Sequence, residues 1–302
     1  MDIKQLKFLD ALAQEEHFGR AASRCHVSQP TLSLRIRQLE EELGVPLIYR
    51  GNRFESLTPE GQRVLAWARR LLANYDGLYQ DVALLRGHLS GRLRLGAVPS
   101  ALAFAARLTA PFLNDYGQVT AISKSMSADE IEQGLEGFSL DVGISYLSRS
   151  LSDTVCTLPL YQEGYVALLP QHEYFTDRES ISWCEVATLP LCLLTKGMHN
   201  RQIIEDVFAE VGCHPDILFE SNSILTLYTH VQNGHWATIA PNFHARLLGV
   251  PDGVRALPLT HPELLQPVGL IWRDMQPLSP LVEAFKQVAI THSANIEKLL
   301  AT

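Results

Sequence analysis

Residues 27–43 read VSQPTLSLRIRQLEEEL. Six neighbours in this stretch could meet a nucleic acid: Gln29, Pro30, Thr31, Ser33, Arg35 and Arg37. Amides and guanidinium groups match the donor and acceptor pattern of base edges, and hydroxyls can hold phosphate oxygens. Leu32, Ile36, Leu39 and Leu43 are spaced by 4, 3 and 4, the interval of one helical stripe, so the polar residues stand off that stripe. Taken alone, a face of arginines is equally a solvated helix surface. Two more arginines, Arg50 and Arg53, lie in the segment that follows and are candidates for phosphate contact.

The elements around this helix decide between those readings. Leu6, Leu9, Leu12 and Ala13 predict an amphipathic helix over 3–15, and FGRAASRC a second over 18–25. Ala21 and Ala22 leave room for a close helix. Cys25 to Ser28 then form a short turn, Ser28 can cap the next helix, and Pro30 costs little in its first turn. Gly44 supplies a C-terminal stop. Two helices around a tight turn, the second with polar residues at its start, describe a helix-turn-helix. Glu40–Glu42 lie at the far end of that helix. Leu47–Tyr49 and Phe54–Leu57 flank Gly51-Asn52-Arg53 as a small β-wing. Thr58 and Pro59 open a long helix carrying Val64, Ala68, Leu71, Tyr75, Leu78, Val82 and Leu85, which alternate spacings of 4 and 3. This seam predicts dimerisation, against the plainer reading of a bundle helix, because no partner helix precedes the next strand. The expected boundaries are 1–58 for a winged helix-turn-helix DNA-binding domain and 59–89 for a linker and dimerisation helix.

The whole chain has 302 residues and a net charge of −8. Residues 1–90 hold 12 basic and 11 acidic residues, and 20–70 hold nine arginines against five glutamates, so a basic surface sits on an acidic protein. No apolar run approaches the roughly 20 residues that span a bilayer. MDIKQLKFLDAL lacks a signal-peptide core. A cytoplasmic protein with no membrane partner is expected. Cys25, Cys156, Cys184, Cys192 and Cys213 have no paired spacing and read as free thiols.

Beyond Gly91 strands and helices alternate. Strands are predicted at 92–97, 120–124, 140–144, 165–170, 191–194, 216–220, 236–241 and 267–272. Helices are predicted over 101–116, from a Ser127–Glu130 capping box to about 137, and over 200–212, 222–234 and 279–299. This predicts an α/β region with mainly parallel strands.

FGRAASRCHVSQPTLSLRIRQLEEELGVPLIYR, then LTPEG, then the long helix resemble the LysR-type transcriptional regulators, closely over the first 90 residues and in outline thereafter. The resemblance implies a winged helix-turn-helix, a dimerising linker helix and a two-lobed, periplasmic-binding-protein-like α/β effector domain. The implied protein is a homodimer assembling to a homotetramer, an activator or repressor of transcription. Its partners would be double-stranded promoter DNA and a small effector, with RNA polymerase a further candidate. Gln29, Pro30, Thr31, Ser33, Arg37 and Arg50 fall on the family's DNA-binding positions. Leu34 departs from the polar or basic residue usual after Ser33. His17 and Gly19 stand where Ser and Thr are usual.

The same resemblance implies lobe I over 91–161 and 267–302 and lobe II over 162–266, with crossing strands near 161–166 and 266–268. A small anionic, carboxylate-bearing metabolite would sit between them, at strand C-ends and helix N-termini. The loops expected to face it carry Pro99, Ser100, Ala101, Met126, Ser127, Ser145 and Tyr146 from one side. Thr195, Lys196, Met198, His199, Ser221 and Asn222 come from the other. Trp236, in GHWATIAP where a second Gly is usual, either shrinks the cleft or fills the lobe core. A peroxide-sensing branch of the family carries a reactive Cys in the loop that here reads TKGMHNRQ, at the position of His199. No phosphate loop, nucleophile elbow or zinc ligand set is present, so neither enzymatic activity nor a metal or cofactor is expected.

Overall fold

The computed structural model describes residues 1–50, 54–171 and 177–301, without the side chains of 50, 248 and 294–301. The predicted turn at Gly51–Arg53 and the side chain of Arg50 therefore lie outside the described residues. Two units emerge, residues 1–89 with 137–139, and residues 90–136 with 140–302.

In the first unit, α1 (Ile3–Glu15) opens on a capping box in which Asp2 and Gln5 bind each other's backbone N–H at 2.8 and 2.7 Å. α2 (Phe18–Arg24) is capped by His17, whose Nδ1 accepts from Gly19 N at 3.0 Å and Arg20 N at 3.3 Å. An imidazole nitrogen thus does the work of the hydroxyl usual there. α3 (Gln29–Leu43) has Ser28 as its cap, accepting from Thr31 N at 3.3 Å, and ends at Gly44 with φ +70°. Leu32, Ile36 and Leu39 are fully buried against Leu9, Leu12, Ala21 and Ala22. Leu43, expected in that stripe, is 39% exposed, because the helix has run past its neighbours by its last turn.

β1 (Ile48–Arg50) and β2 (Phe54–Leu57) pair antiparallel with Ile48 opposite Leu57. Thr58 then anchors the next helix. Its hydroxyl donates to Pro46 O at 2.7 Å and accepts from Gly61 N at 2.9 Å, while its own N–H meets Leu47 O. A Cβ at Gly61 would stand 2.0 Å from that Leu47 oxygen, so LTPEG needs its glycine for close backbone approach. α4 (Pro59–Leu85) packs on α1 through Leu65, Ala68 and Leu72, with Arg69 bonded to Asp10 at 2.7 Å.

The second unit alternates as β3 (Ser90–Ala97), a 3₁₀ turn (Pro99–Ala101), α5 (Leu102–Asp115), β4 (Gln118–Ser125), α6 (Ala128–Glu136) and β5 (Val142–Tyr146). β6 follows as one 16-residue strand (Val155–Pro170), then β7 (Ile181–Ser182), α7 (Trp183–Ala187), β8 (Leu191–Leu194) and α8 (His199–Glu210). The chain continues as β9 (Ile217–Ser221), α9 (Ile224–Gln232), β10 (Thr238–Pro241), α10 (Asn242–Leu248), β11 (Val254–Thr260), β12 (Leu265–Arg273) and α11 (Pro280–Ala301). The main sheet runs β4-β3-β5-β12-β6-β11-β7, with β10 also on β6, and β8 pairs with β9.

β6 changes partners part-way. Val155–Gly164 pair with β12, and Tyr165–Pro170 pair with β10 and β11. One strand therefore belongs to both lobes. The expected mainly parallel sheet is corrected by this arrangement: β12, β10 and β11 all run antiparallel to β6, while β3–β4, β3–β5, β8–β9 and β7–β11 are parallel. A chain that crosses between lobes and returns puts its two crossing strands side by side in opposite directions. β7, α7, α10 and β11 had no counterpart in the sequence reading, being short or interrupted.

Trp236 packs against the lobe II core of Leu168, Cys192, Leu194 and Tyr228, edge-on to His230 at 5.6 Å. It fills the lobe rather than the cleft. The free-thiol expectation is corrected for two cysteines: Cys184 on α7 and Cys213 beyond α8 are bonded, with Cα atoms 5.6 Å apart. Cys25, Cys156 and Cys192 are free.

Candidate nucleic-acid interface and effector cleft

Gln29, Pro30, Thr31 and Arg37 are exposed on α3, and Ser33 and Arg35 are half-exposed beside them. Arg35 is not idle: its guanidinium stands 3.6 Å from Asp2. Leu34, 55% exposed, shares this face. β1 carries Arg50; Arg53 lies outside the described residues. On α4, Trp67, Leu71, Leu78, Val82 and Leu85 are exposed by 40% or more, with Tyr75 half-buried between them. Two residues of the predicted seam do not share that surface. Ala68 is fully buried and Val64 packs on the same core, because the first turns of α4 are used to hold α1.

In the second unit a polar cluster joins the lobes. Glu163, on the crossing strand β6, is fully buried. Its Oε1 accepts from Tyr146 at 2.6 Å and Tyr165 at 3.1 Å, and its Oε2 faces Tyr161 at 3.4 Å. Ser100 bonds the Tyr146 hydroxyl at 2.8 Å from lobe I. Asn200, from the first turn of α8 in lobe II, donates to the hydroxyls of Tyr146 and Tyr165 at 3.2 and 3.3 Å. Burial pushes the Glu163 carboxyl up to about 7, against the opposing pull of its hydroxyl donors, and the three tyrosines are pushed well above their usual range by the same burial and by the carboxyl. Beside this cluster, Phe104 of α5, Tyr161 of β6 and Phe243 of α10 pack ring against ring with centroids 4.5–6.0 Å apart.

Outside the cluster a cavity of about 220 Å³ remains, lined by Ala128, Asp129, Arg149 and Ser150 from lobe I and by Gly197, His199 and Gln202 from lobe II. Arg149, 19% exposed, pairs with Asp129 and stands 3.5 Å from Glu132. His199 is held below its usual pKa by burial first and then by Arg149, and its Nε2 is buried without a hydrogen-bond partner. Its ring lies 5.2 Å from Tyr146. α8 starts here, and its N-cap, Met198, gives no side-chain bond to the open N–H groups.

Of the residues expected to face a ligand, His199 lines this cavity. Ser100 and Tyr146 are consumed in the buried cluster. Pro99, Ala101 and Ser145 are walled in, and the Ser145 hydroxyl has no partner. Met126, Ser127, Thr195 and Met198 are half-exposed near the rim, and Lys196 is exposed. Ser221 and Asn222 do not start α9; Ser223 caps it, accepting from Thr226 N at 3.4 Å. The sequence reading missed Glu163, Tyr161, Tyr165, Asn200, Asp129, Arg149, Ser150 and Gln202. One signal was present: in YQEGY, Tyr161, Glu163 and Tyr165 alternate, which puts all three on one face of a strand. Arg201 is buried too, but it is structural, bonding Leu194 O at 2.8 Å, Glu220 at 2.6 Å and Glu205 at 2.9 Å. Among the described residues no group of three or more His, Cys, Asp or Glu could hold a metal, and no helix is long and apolar enough to cross a membrane.

Residues 3–62 match the family model "Bacterial regulatory helix-turn-helix protein, lysR family", and residues 86–294 match "LysR substrate binding domain". The chain belongs to the LysR family of transcriptional regulators. It is a DNA-binding regulator with an effector-binding domain, and LysR-type regulators act as oligomers. The chain is 31% identical over 295 residues to the DNA-binding transcriptional dual regulator OxyR of Escherichia coli K12, covering 96% of this chain and 94% of that protein. It is 29% identical to the hydrogen peroxide-inducible genes activator of Pectobacterium carotovorum, covering 100% of this chain and 99% of that protein. A full-length OxyR variant from Pseudomonas aeruginosa superposes with a TM-score of 0.76 at 28% identity, covering 96% and 94% of the two chains. CbnR, a LysR family regulator, shares the fold at TM-score 0.69 and 21% identity, covering 97% and 99%. Against this LysR-type background the residue that lines the cavity beside Tyr146 is an imidazole, His199, and not a thiol.

Proposed function

We propose that this LysR-type regulator docks α3 in a major groove, dimerises through the outer face of α4, and changes its promoter contacts when a small anionic metabolite enters the cavity between its lobes. Gln29 and Arg35 read bases; Pro30, Thr31, Ser33, Arg37, Arg50 and Arg53 set the helix and wing against the backbone. Leu71, Tyr75, Leu78, Val82 and Leu85 form the dimer seam, joined by Trp67, and dimers pair to a tetramer. The domain limits are 1–58, 59–89, lobe I at 91–161 with 267–302, and lobe II at 162–266. The chain works in the cytoplasm, on the chromosome, as a regulator and not an enzyme.

The observation that carries the ligand reading is the cavity lined from both lobes at the uncapped start of α8. Open helix N–H groups and the guanidinium of Arg149 suit one negative group, and Ser150 and Gln202 suit further polar atoms. Its volume falls below the ~300–1,000 Å³ of drug-sized sites, which selects a small metabolite. A ligand bridging both lobes shifts the regulator by its differential affinity for the two states, typically about 1–3 kcal/mol. A thermal-shift screen of small carboxylates, amino acids and aromatic acids on the full chain tests this, with gel shifts on its own upstream DNA. One class should raise Tm and lose that effect in Arg149→Ala. Stabilisation undiminished in Arg149→Ala would place the ligand elsewhere.

A further inference from the structure

We propose that Cys184 and Cys213 are a reversible thiol–disulfide couple, a redox modification site that governs the far end of the helix whose first turn lines the effector cavity. This rests on the proposed action on chromosomal DNA, which puts the chain among a reducing thiol pool. In such a compartment disulfides that do form are usually transient and redox-sensing.

The geometry supports a couple that opens and closes without unfolding. Trp183, next to Cys184, is fully buried and packs edge-on against Phe208 of α8 at 5.4 Å. That contact keeps α7 beside α8 whether or not the sulfurs are bonded. As thiols, both have an acceptor in reach: the two Sγ atoms lie 3.8 and 3.7 Å from the Val211 carbonyl at the C-cap of α8. Cys184 is exposed and Cys213 half-exposed, so a small reagent reaches the pair. The remaining cysteines differ: Cys192 is buried in the lobe II core, and neither Cys25 nor Cys156 is bonded.

The oxidant fitted to this site is a low-molecular-weight disulfide. Cys184 is the more exposed of the two, so it meets the small disulfide first and Cys213 resolves. The Cys184 thiolate attacks the small disulfide, expels one thiolate and is left in a mixed disulfide. The Cys213 thiolate then attacks the Cys184 sulfur and expels the second. The protein dithiol loses two electrons and two protons, and one small disulfide becomes two small thiols. The bond closes a loop of sequence separation 29 that holds β8, the 195–198 turn and all of α8, hence His199, Asn200 and Gln202. The redox state therefore sets how freely the lobe II wall of the cavity moves.

The full chain is equilibrated in buffers of varied glutathione to glutathione disulfide ratio, and its thiols are alkylated and mapped by mass spectrometry. Cys184 and Cys213 should lose alkylation together in one two-electron transition. Amides of residues 199–210 should exchange at least about fivefold more slowly in the oxidised protein. Cys184→Ser and Cys213→Ser should each abolish both effects, and Cys156→Ser neither. Full alkylation of both cysteines at every ratio, or identical exchange of α8 in both states, would overturn the proposal. Binding to the chain's own upstream DNA is measured in the same buffers. Its absence in both states would sink the regulator reading while leaving the redox transition intact, so the two failures are distinguishable.

Discussion

The buried Glu163 makes the effector domain a pH-sensitive structure with a calculable slope. Its carboxyl is fully buried, has two short hydroxyl donors on Oε1 and one long one on Oε2, and is pushed from 4.5 up to about 7. A raised folded-state pKa means the native protein holds the proton more tightly than the unfolded chain. The stabilisation is therefore full below about pH 4.5 and is lost as pH rises through about 7. Two and a half pH units at 1.36 kcal/mol each give roughly 3 kcal/mol in total, of which roughly 2 kcal/mol falls between about pH 5.5 and 7.5. His244 works against this. Its buried imidazole is pulled down to about 4, so its contribution is present above the unfolded value and is lost as pH falls. Glu163→Gln separates the two. The amide copies the protonated carboxyl, Oε1 still accepting from Tyr146 and Tyr165 while the NH₂ group donates to Tyr161. Urea unfolding is followed by tryptophan fluorescence in a Trp67→Phe background, which confines the signal to Trp183, Trp236 and Trp272 of the effector domain. The difference in unfolding free energy between the variant and its parent should change by roughly 2 kcal/mol in the variant's favour from about pH 5.5 to 7.5. Parallel pH curves would refute the reasoning.

Gly61→Ala gains about 1 kcal/mol of helix propensity but drives a Cβ to 2.0 Å from the Leu47 oxygen, and overpacking against backbone should leave a net loss of roughly 2 kcal/mol; unchanged urea stability of the helical unit would contradict it. Leu78→Glu, at a position 61% exposed, should leave helix content intact yet shift the protein to smaller species in sedimentation velocity, and an unchanged sedimentation profile would remove α4 as the dimer seam. Arg35→Ala should reduce discrimination between the natural operator and a scrambled duplex by about 1–3 kcal/mol, whereas Arg37→Ala should weaken both and lower the salt slope by about one. Fluorescence anisotropy across salt concentrations measures this, and equal losses on both duplexes from both variants would count against base reading by Arg35.

The helical unit was nearly transparent to sequence because its signals are local. Ser28, Gly44 and Thr58 act on N–H and C=O groups within a few residues, and the spacing of Leu32, Ile36 and Leu39 measures one turn. The first two positions expected in the α4 seam, Val64 and Ala68, pack inside the helical unit. Both satisfy that seam's period equally well as packing for α1, and a period cannot say which neighbour a stripe meets. In the effector domain the alternation of strands and helices was legible, while strand direction was not. β6 and β12 run antiparallel because the chain crosses between lobes and returns, which is a property of the whole path.

The amino-acid order by itself determined the helix-turn-helix, its caps and glycine, the polar face of α3 and the α/β class, since each rests on interactions spanning one or two turns or on a repeating period. Only the tertiary structure decided that Glu163 meets Ser100 and Asn200, that Arg149 faces His199 across a cavity, that Trp236 fills a lobe, and that Cys184 finds Cys213. Those partners lie tens of residues apart. Their meeting is set by burial and chain crossing, which pay the entropy of closing long loops only once the whole domain has formed.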